Sequence, residues 1–233
     1  MLSDRPQQFA KLFQYNHYQL HQLLWQFFRD RPEKQRDFLF RQDSDSQGRP
    51  VFYVVSKTPP RHDDALWNIE TKPYQPHLYV GDCLAFSLRA NPVEQLKEAR
   101  TPEELNRQMV DRNTRGLTEK STKKRVQHDV VMHLKKSLSE AELSEHSQAA
   151  LEQRAGEAWL NKRAEKQGFR VLSVTAQRYQ QQHFKKRQIK MSTLDFDGVL
   201  QVIDPEIFIS QTLYQGIGRA KAFGCGLMLV KRL

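Results

Sequence analysis

Apolar residues recur along this chain with two different periods, and the switches between them outline its elements. Residues 16–28 follow the helical period. At about 100° per residue, Leu20, Leu23, Leu24, Phe27 and Phe28 gather on one side and Tyr18, His21, Gln22 and Trp25 on the other. Asn16 stands where it can cap the first turn, with Gln19 at the capping-box position. A helix is predicted whose core stripe is leucine and phenylalanine, with a separate polar aromatic face.

The period then shortens. Phe38–Arg41 and Val51–Ser56 are β-rich runs separated by the turn formers of 43–48, which predicts a hairpin. Leu84–Arg89 alternates like a strand and is closed by Ala90-Asn91-Pro92, so a first domain is expected over 1–92. Residues 93–125 are polar with few apolar anchors and read as a linker or mobile basic loop. Helical patterns return over 128–137 and 140–167, the second carrying Trp159 and Leu160 on an otherwise charged surface, and Val171–Val174 reads as a strand. Arg178–Lys190 holds five basic residues and no acidic one and leads into the strand-like alternation of Met191–Ile203, which predicts a basic strand or hairpin. A short helix is expected over 205–214, since Pro205 is tolerated in a first turn, and a final strand over Leu227–Val230. The order is that of an α+β protein with a second domain over 126–233. No repeat of residue identity is evident, although the two halves share a crude helix-and-strand order.

Composition narrows the class. A length of 233 residues suits two domains of roughly 100 each, and 38% hydrophobic residues are enough to form cores. No apolar run approaches the roughly 20 residues of a membrane span, and Met1-Leu-Ser-Asp-Arg-Pro lacks a hydrophobic signal core. A cytoplasmic protein without a membrane partner is expected. Two cysteines, Cys83 and Cys225, without C-x-x-C spacing make neither a disulfide framework nor a structural zinc site. The net charge of +10 is unevenly spread: Lys and Arg against Asp and Glu number 14 and 14 over 1–106, 19 and 9 over 107–190, and 4 and 4 over 191–233. A basic block between balanced segments is the footprint of a polyanion partner, with nucleic acid favoured over a merely solvated face. An anionic membrane fits less well, because no basic amphipathic helix accompanies the charge.

Several residues could carry chemistry. Gly216, Gly218, Gly224 and Gly226 surround Arg219 and Lys221. Such a loop can line a phosphate with backbone amides, or it can simply be a tight turn before the last strand. It is neither a Walker loop nor a Rossmann fingerprint. Tyr18 and His21 share a helix face. A histidine can act as general acid or base when a ribose 2′-hydroxyl attacks the adjacent phosphate, and a tyrosine beside it can orient the ribose or stack on a base; the plain alternatives are a surface histidine and a packed tyrosine. His17 and His21 lack the glutamate of H-E-x-x-H and a third ligand, so no metal and no cofactor are called for. Asp195 and Asp197 alternate on a strand without a second acidic cluster, and a solvent-facing or turn role is expected of them.

Tyr18–Trp25, Arg36–Phe40, Leu88–Pro92, Phe196–Leu200 and Gly216–Leu227 resemble, in order, the signature stretches of the CasE family, the type I-E CRISPR repeat endoribonucleases. The resemblance implies tandem ferredoxin-like (RRM-like) domains and membership of a Cascade complex. It also implies metal-independent cleavage at the 3′ base of a repeat stem-loop, with a 2′,3′-cyclic phosphate on a hairpin that stays bound. His21 matches the family's catalytic histidine and Tyr18 a tyrosine near the reacting phosphate. The basic stretch with Lys123, Lys124 and Arg125, the segment with Arg178, Lys185, Lys186, Arg187 and Lys190, and Arg219 and Lys221 of the glycine-rich loop are the expected RNA contacts. Family members open on an apolar strand, whereas this chain opens on Met1-Leu-Ser-Asp-Arg-Pro, so a shortened, altered or missing first strand is expected. A hairpin-binding capping subunit that has lost cleavage is the alternative. A DNA-binding regulator fits the charge but not the lack of a helix-turn-helix.

Overall fold

The computed structural model describes residues 23–28, 37–61, 67–114, 123–184 and 189–233. The expected opening strand and most of the expected first helix, with Asn16, His17, Tyr18, Gln19 and His21, lie outside the described residues, as do Lys185, Lys186 and Arg187. Of that helix, 23–25 is helical and runs into a 3-10 turn at Gln26–Phe28. Leu24 and Phe28 are buried, in keeping with the predicted apolar stripe.

β1 (Phe38–Ser44) and β2 (Pro50–Ser56) form the expected antiparallel hairpin, in register from Phe38 opposite Ser56 to Ser44 opposite Pro50. The turn closes on the Asp45 carboxylate, which accepts from the backbone N–H groups of Gln47 and Arg49 at 2.9 and 2.8 Å, the local bonding that favours Asp in turns. Phe38 and Phe40 join Leu24 and Phe28 in a small aromatic core, with the Phe28 and Phe38 rings stacked at 4.8 Å.

The main sheet has the order β6-β7-β3-β8, with β3 Cys83–Ala90, β6 Phe169–Phe184, β7 Ile189–Val202 and β8 Met228–Arg232. Every neighbouring pair is antiparallel. Period-two alternation gives it two unlike faces. Leu84, Phe86, Leu88 and Ala90 of β3, with Leu194, Phe196, Leu200 and Val202 of β7, are buried on one face, whereas Ser87, Arg89 and Asp195 point to the other.

The apolar face is covered by the helix predicted over 140–167, which is two helices. α3 (Glu140–Glu145) and α4 (Gln148–Ala164) are separated because Ser147 starts a new cap by accepting from the Ala150 N–H at 3.1 Å. Trp159 and Leu160, expected on a charged surface, are instead 1% and 0% exposed, since this face of α4 is the one that meets the sheet. The Trp159 ring stacks on Phe196 at 5.7 Å. Gly156 lets helix and sheet approach closely: a Cβ there would lie 2.6 Å from the Ala176 Cβ and 2.7 Å from Leu194. α2 (Val130–Ser137) precedes α3 and is capped by Asp129.

Two expectations change here. Residues 93–125 are not a linker throughout: they contain β4 (Val93–Ala99), α1 (Pro102–Thr114) and the start of β5 (Lys123–Asp129). β4 and β5 pair as an antiparallel ribbon, so the polar residues that suggested a loop are the two faces of a solvated two-stranded element. The boundary expected at residue 92 also falls after a strand that lies between β7 and β8, so β3 shares its sheet with the C-terminal part of the chain. The chain then runs from β3 through the helices to β6 and β7, through α5 (Pro205–Ile207) and a π-helix over Phe208–Leu213, and ends in β8. No helix among the described residues is long and apolar enough to cross a membrane.

The Gly156 contact predicts that Gly156→Val overpacks the helix–sheet interface and costs about 1–3 kcal/mol, read as a lower urea midpoint with an unchanged m-value.

Candidate nucleic-acid interface

The ribbon sorts its charges by face. On one side lie Glu94, Leu96 and Glu98 of β4 and Lys124, Val126 and His128 of β5. There Lys124 Nζ donates to Glu104 of α1 at 2.5 Å, holding the Glu104 carboxyl below its ordinary range, and His128 Nε2 lies 2.6 Å from Glu98. On the other side Gln95 faces Gln127, Lys97 faces Arg125 and Ala99 faces Lys123. All six are exposed. Like charges directly opposed across a ladder are unfavourable in an isolated ribbon, and a negatively charged neighbour would relieve the Lys97–Arg125 pairing. Lys123 and Arg125 are thus brought together, Lys124 is turned away from them, and Lys97 joins them. Sequence reading missed Lys97 because it sits among acidic neighbours; the pairing with Arg125 across the ladder is what distinguishes it.

The ribbon is anchored at its root. Trp159 Nε1 and Arg163 Nη2 both donate to the Val93 carbonyl, at 3.1 and 3.0 Å, and the Arg163 guanidinium lies 4.3 Å above the Trp159 ring. Burial pulls the Arg163 pKa down.

Beside that root runs the glycine-rich loop. Gly216 and Gly226 both have positive φ, +78° and +93°, and the Ile217 N–H donates to the Gly226 carbonyl at 2.9 Å. A Cβ on Gly226 would fall 2.7 Å from the Ile217 carbonyl oxygen and one on Gly216 2.8 Å from that of Gly226, so these two glycines are demanded by the crossing of the loop on itself. Gly218 packs against Trp159 and Gly224 against the Phe40 ring. All four glycines thus have packing roles of the tight-turn kind, and the loop presents Arg219 as its exposed cation. Arg219 bridges Asn91 through its backbone. With Gln95, Gln127, Arg163 and Gly218 these two residues line a cleft of about 280 Å³ between loop and ribbon.

The other end of the loop meets the β6–β7 hairpin. Lys221 opens a 3-10 turn, Lys221–Phe223, and the Phe223 ring lies 5.2 Å from that of Phe184 near the hairpin end. The described parts of the basic segment, 178–184 and 189–190, lie on the paired strands of the β6–β7 hairpin, whereas 185–188 lie outside the described residues. Lys190 is exposed on the hairpin, and Arg178 sits at a bulge with φ +59° and its side chain 69% exposed. The loop thus meets the ribbon at the cleft and the hairpin at Phe223.

Behind the loop, Asp195 departs from expectation. It is 4% exposed and takes two hydrogen bonds from Arg89, Nε to Oδ1 at 2.7 Å and Nη2 to Oδ2 at 2.8 Å, whereas Asp197 is exposed. The Asp195 hydrogen bonds raise the Arg89 pKa. Arg89 Nη1 donates to the Gln42 carbonyl of β1 at 2.9 Å, and Arg41 reaches Ser87 and Asp43 at 2.9 and 3.0 Å. The β1–β2 hairpin is thereby tied to the polar face of the sheet. That covering is why strand alternation alone misplaced Asp195.

With this geometry in place, comparison with known proteins gives a consistent result. A family model described as CRISPR associated protein matches residues 2–232. The chain belongs to that family. It is 30% identical over 214 residues, 91% of its length and 89% of the relative's, to the CRISPR system Cascade subunit CasE of Escherichia coli K12. Among solved structures it resembles the CRISPR-associated protein Cas6e from Escherichia coli K-12, with a TM-score of 0.59 and 29% identity over 94% of this chain and 93% of that one. It also resembles Thermus thermophilus Cse3 bound to an RNA representing a pre-cleavage complex, with a TM-score of 0.61 and 25% identity over 93% and 89%.

Two predictions follow from the packing behind the loop. Asp195→Ala removes both acceptors that the partly exposed Arg89 guanidinium has on β7 and should cost about 1–3 kcal/mol in denaturant unfolding. Burial pushes the Cys225 thiol up to about 12, so at pH 8 it stays protonated while Cys83 is exposed; a thiol titration should consume one equivalent in the native protein and two after denaturation.

Proposed function

We propose that this protein is a CRISPR endoribonuclease that binds the repeat hairpin of a precursor transcript, cuts it at the 3′ base of the stem and keeps the hairpin within a Cascade complex in the cytoplasm. The observation that carries this reading is the set of exposed cations on the β4–β5 ribbon, at Arg219 of the glycine-rich loop and on the β6–β7 hairpin, elements that meet at the cleft and at the Phe184–Phe223 contact, in a chain belonging to the CRISPR-associated family. Phosphates supply most of the affinity for such a surface, and the narrow major groove of A-form RNA directs recognition to shape, backbone and unpaired bases.

The fold supports the same reading. The β6-β7-β3-β8 order, with β7 between the ends of one crossover and β3 between the ends of the other, is that of a ferredoxin-like domain. On this assignment the RNA-binding domain starts at β3, with the β4–β5 ribbon inserted after its first strand. A second ferredoxin-like domain precedes it and contains the first helix and the β1–β2 hairpin.

Cleavage in this reading needs no metal. The ribose 2′-hydroxyl loses its proton and attacks the adjacent phosphorus, and the 5′-oxygen of the next nucleotide leaves and takes up a proton. A 2′,3′-cyclic phosphate and a 5′-hydroxyl result. His21 transfers one of these protons, Tyr18 orients the reacting group, and a neighbouring Lys or Arg offsets the charge that develops on the phosphoryl oxygens.

Incubating the repeat RNA with the protein in EDTA tests this directly. Wild type should cut, a substrate with a 2′-deoxy nucleotide at the cut site should stay whole, and His21→Ala should slow cleavage by about 10²–10⁴-fold with little change in binding. RNA bound tightly but left intact by wild type would replace the enzyme with a capping subunit. On the ribbon, Arg125→Ala should weaken binding and lower the slope of log K against log salt by about 1.

A further inference from the structure

We propose that the cleft between the β4–β5 ribbon and the glycine-rich loop takes up one unpaired RNA base, read by the side-chain amides of Gln95 and Gln127; this rests on the RNA-binding reading above. The cleft, at about 280 Å³, is just below the roughly 300–1,000 Å³ that drug-sized ligands fill. Its occupant is therefore a smaller group.

The lining selects a base over a phosphate. Gln95 and Gln127 stand opposite each other on the exposed face of the ribbon, and neither amide makes a side-chain hydrogen bond among the described residues. Each offers a donor beside an acceptor, the bidentate partner of a base edge such as that of adenine. Glu94 also lines the cleft, its carboxylate taken up by Lys162 Nζ at 3.0 Å. Arg163 is already engaged, donating to the carbonyls of Trp159 at 2.8 Å and Val93 at 3.0 Å.

The cations that could meet phosphates lie around the cleft. Arg219 is exposed at its edge, and Lys97 and Arg125 are two residues along the strands from Gln95 and Gln127 on the same face. A strand running along that row can place its backbone on the cations and one base in the cleft. Only a base outside the stem can be splayed out in this way, so the cleft distinguishes the unpaired nucleotides next to a hairpin from its paired ones.

The test measures dissociation constants of full-length protein for repeat hairpins that carry one abasic nucleotide at each unpaired position in turn. For wild type, one position should lose about 10-fold in affinity, within the range of a bidentate amide–base contact. That loss should disappear in Gln95→Leu/Gln127→Leu, while both proteins bind the bare stem-loop equally. The scan on wild type stands without the variant: if the hairpin binds and no abasic position weakens it, the proposal is overturned and RNA binding survives. A sensitive position that persists unchanged in the double variant overturns it equally. Failure of wild type to bind any hairpin would remove the RNA-binding reading and this proposal with it.

Discussion

Arg89 is the joint on which the described structure turns. Its guanidinium holds Asp195 on β7 and the Gln42 carbonyl on β1, and its own carbonyl accepts from the Gly226 N–H at 2.7 Å. One residue thus fixes the hairpin, the middle of the sheet and the glycine-rich loop relative to one another. A half-buried guanidinium, here 23% exposed, is held best with its charge balanced and its donors used. Asp195 supplies that balance, and the same pairing keeps the polar face of the sheet closed beneath β1.

The opposite face is held by apolar packing. Trp159 links the two regimes, because its ring lies in the core against Phe196 while its N–H reaches the root of the ribbon at Val93. The ribbon has little core of its own, and a two-stranded hairpin alone is at best marginally stable. Its position depends on Trp159 and Arg163 at one end and on the Lys124–Glu104 ion pair with α1 at the other. Alternation then makes the charge useful: acidic side chains face Lys124 and His128, and Lys97, Lys123 and Arg125 are left on the outer face.

The resulting surface has two modes of contact. A row of exposed cations can hold a phosphate backbone of any sequence, with the salt dependence that counterion release imposes. The amides at the cleft can distinguish bases at short range. The loop between them owes its shape to Gly216 and Gly226, which bring Arg219 to the cleft and Phe223 to the β6–β7 hairpin.

Local pattern was sufficient for much of this protein. Alternation marks β3 and β7, turn chemistry marks the β1–β2 hairpin, Asp204-Pro205 marks the start of α5, and the density of Lys and Arg over 107–190 marks the polyanion partner, because each of these signals arises within a few neighbouring residues. Asp195, Trp159 and Lys97 were not legible in the same way. Burial of Asp195 depends on a hairpin some 150 residues earlier in the chain, burial of Trp159 on which helix face meets the sheet, and the significance of Lys97 on a strand partner at Arg125. The sequence by itself determined the basic stretches and most of the strands and helices outside residues 93–125. Only the tertiary structure decided that β3 lies within the C-terminal sheet, that the polar stretch after it folds back as a ribbon, and that the glycine-rich loop meets both ribbon and hairpin, since strand pairing and ion pairing between distant residues leave no periodic trace in either partner.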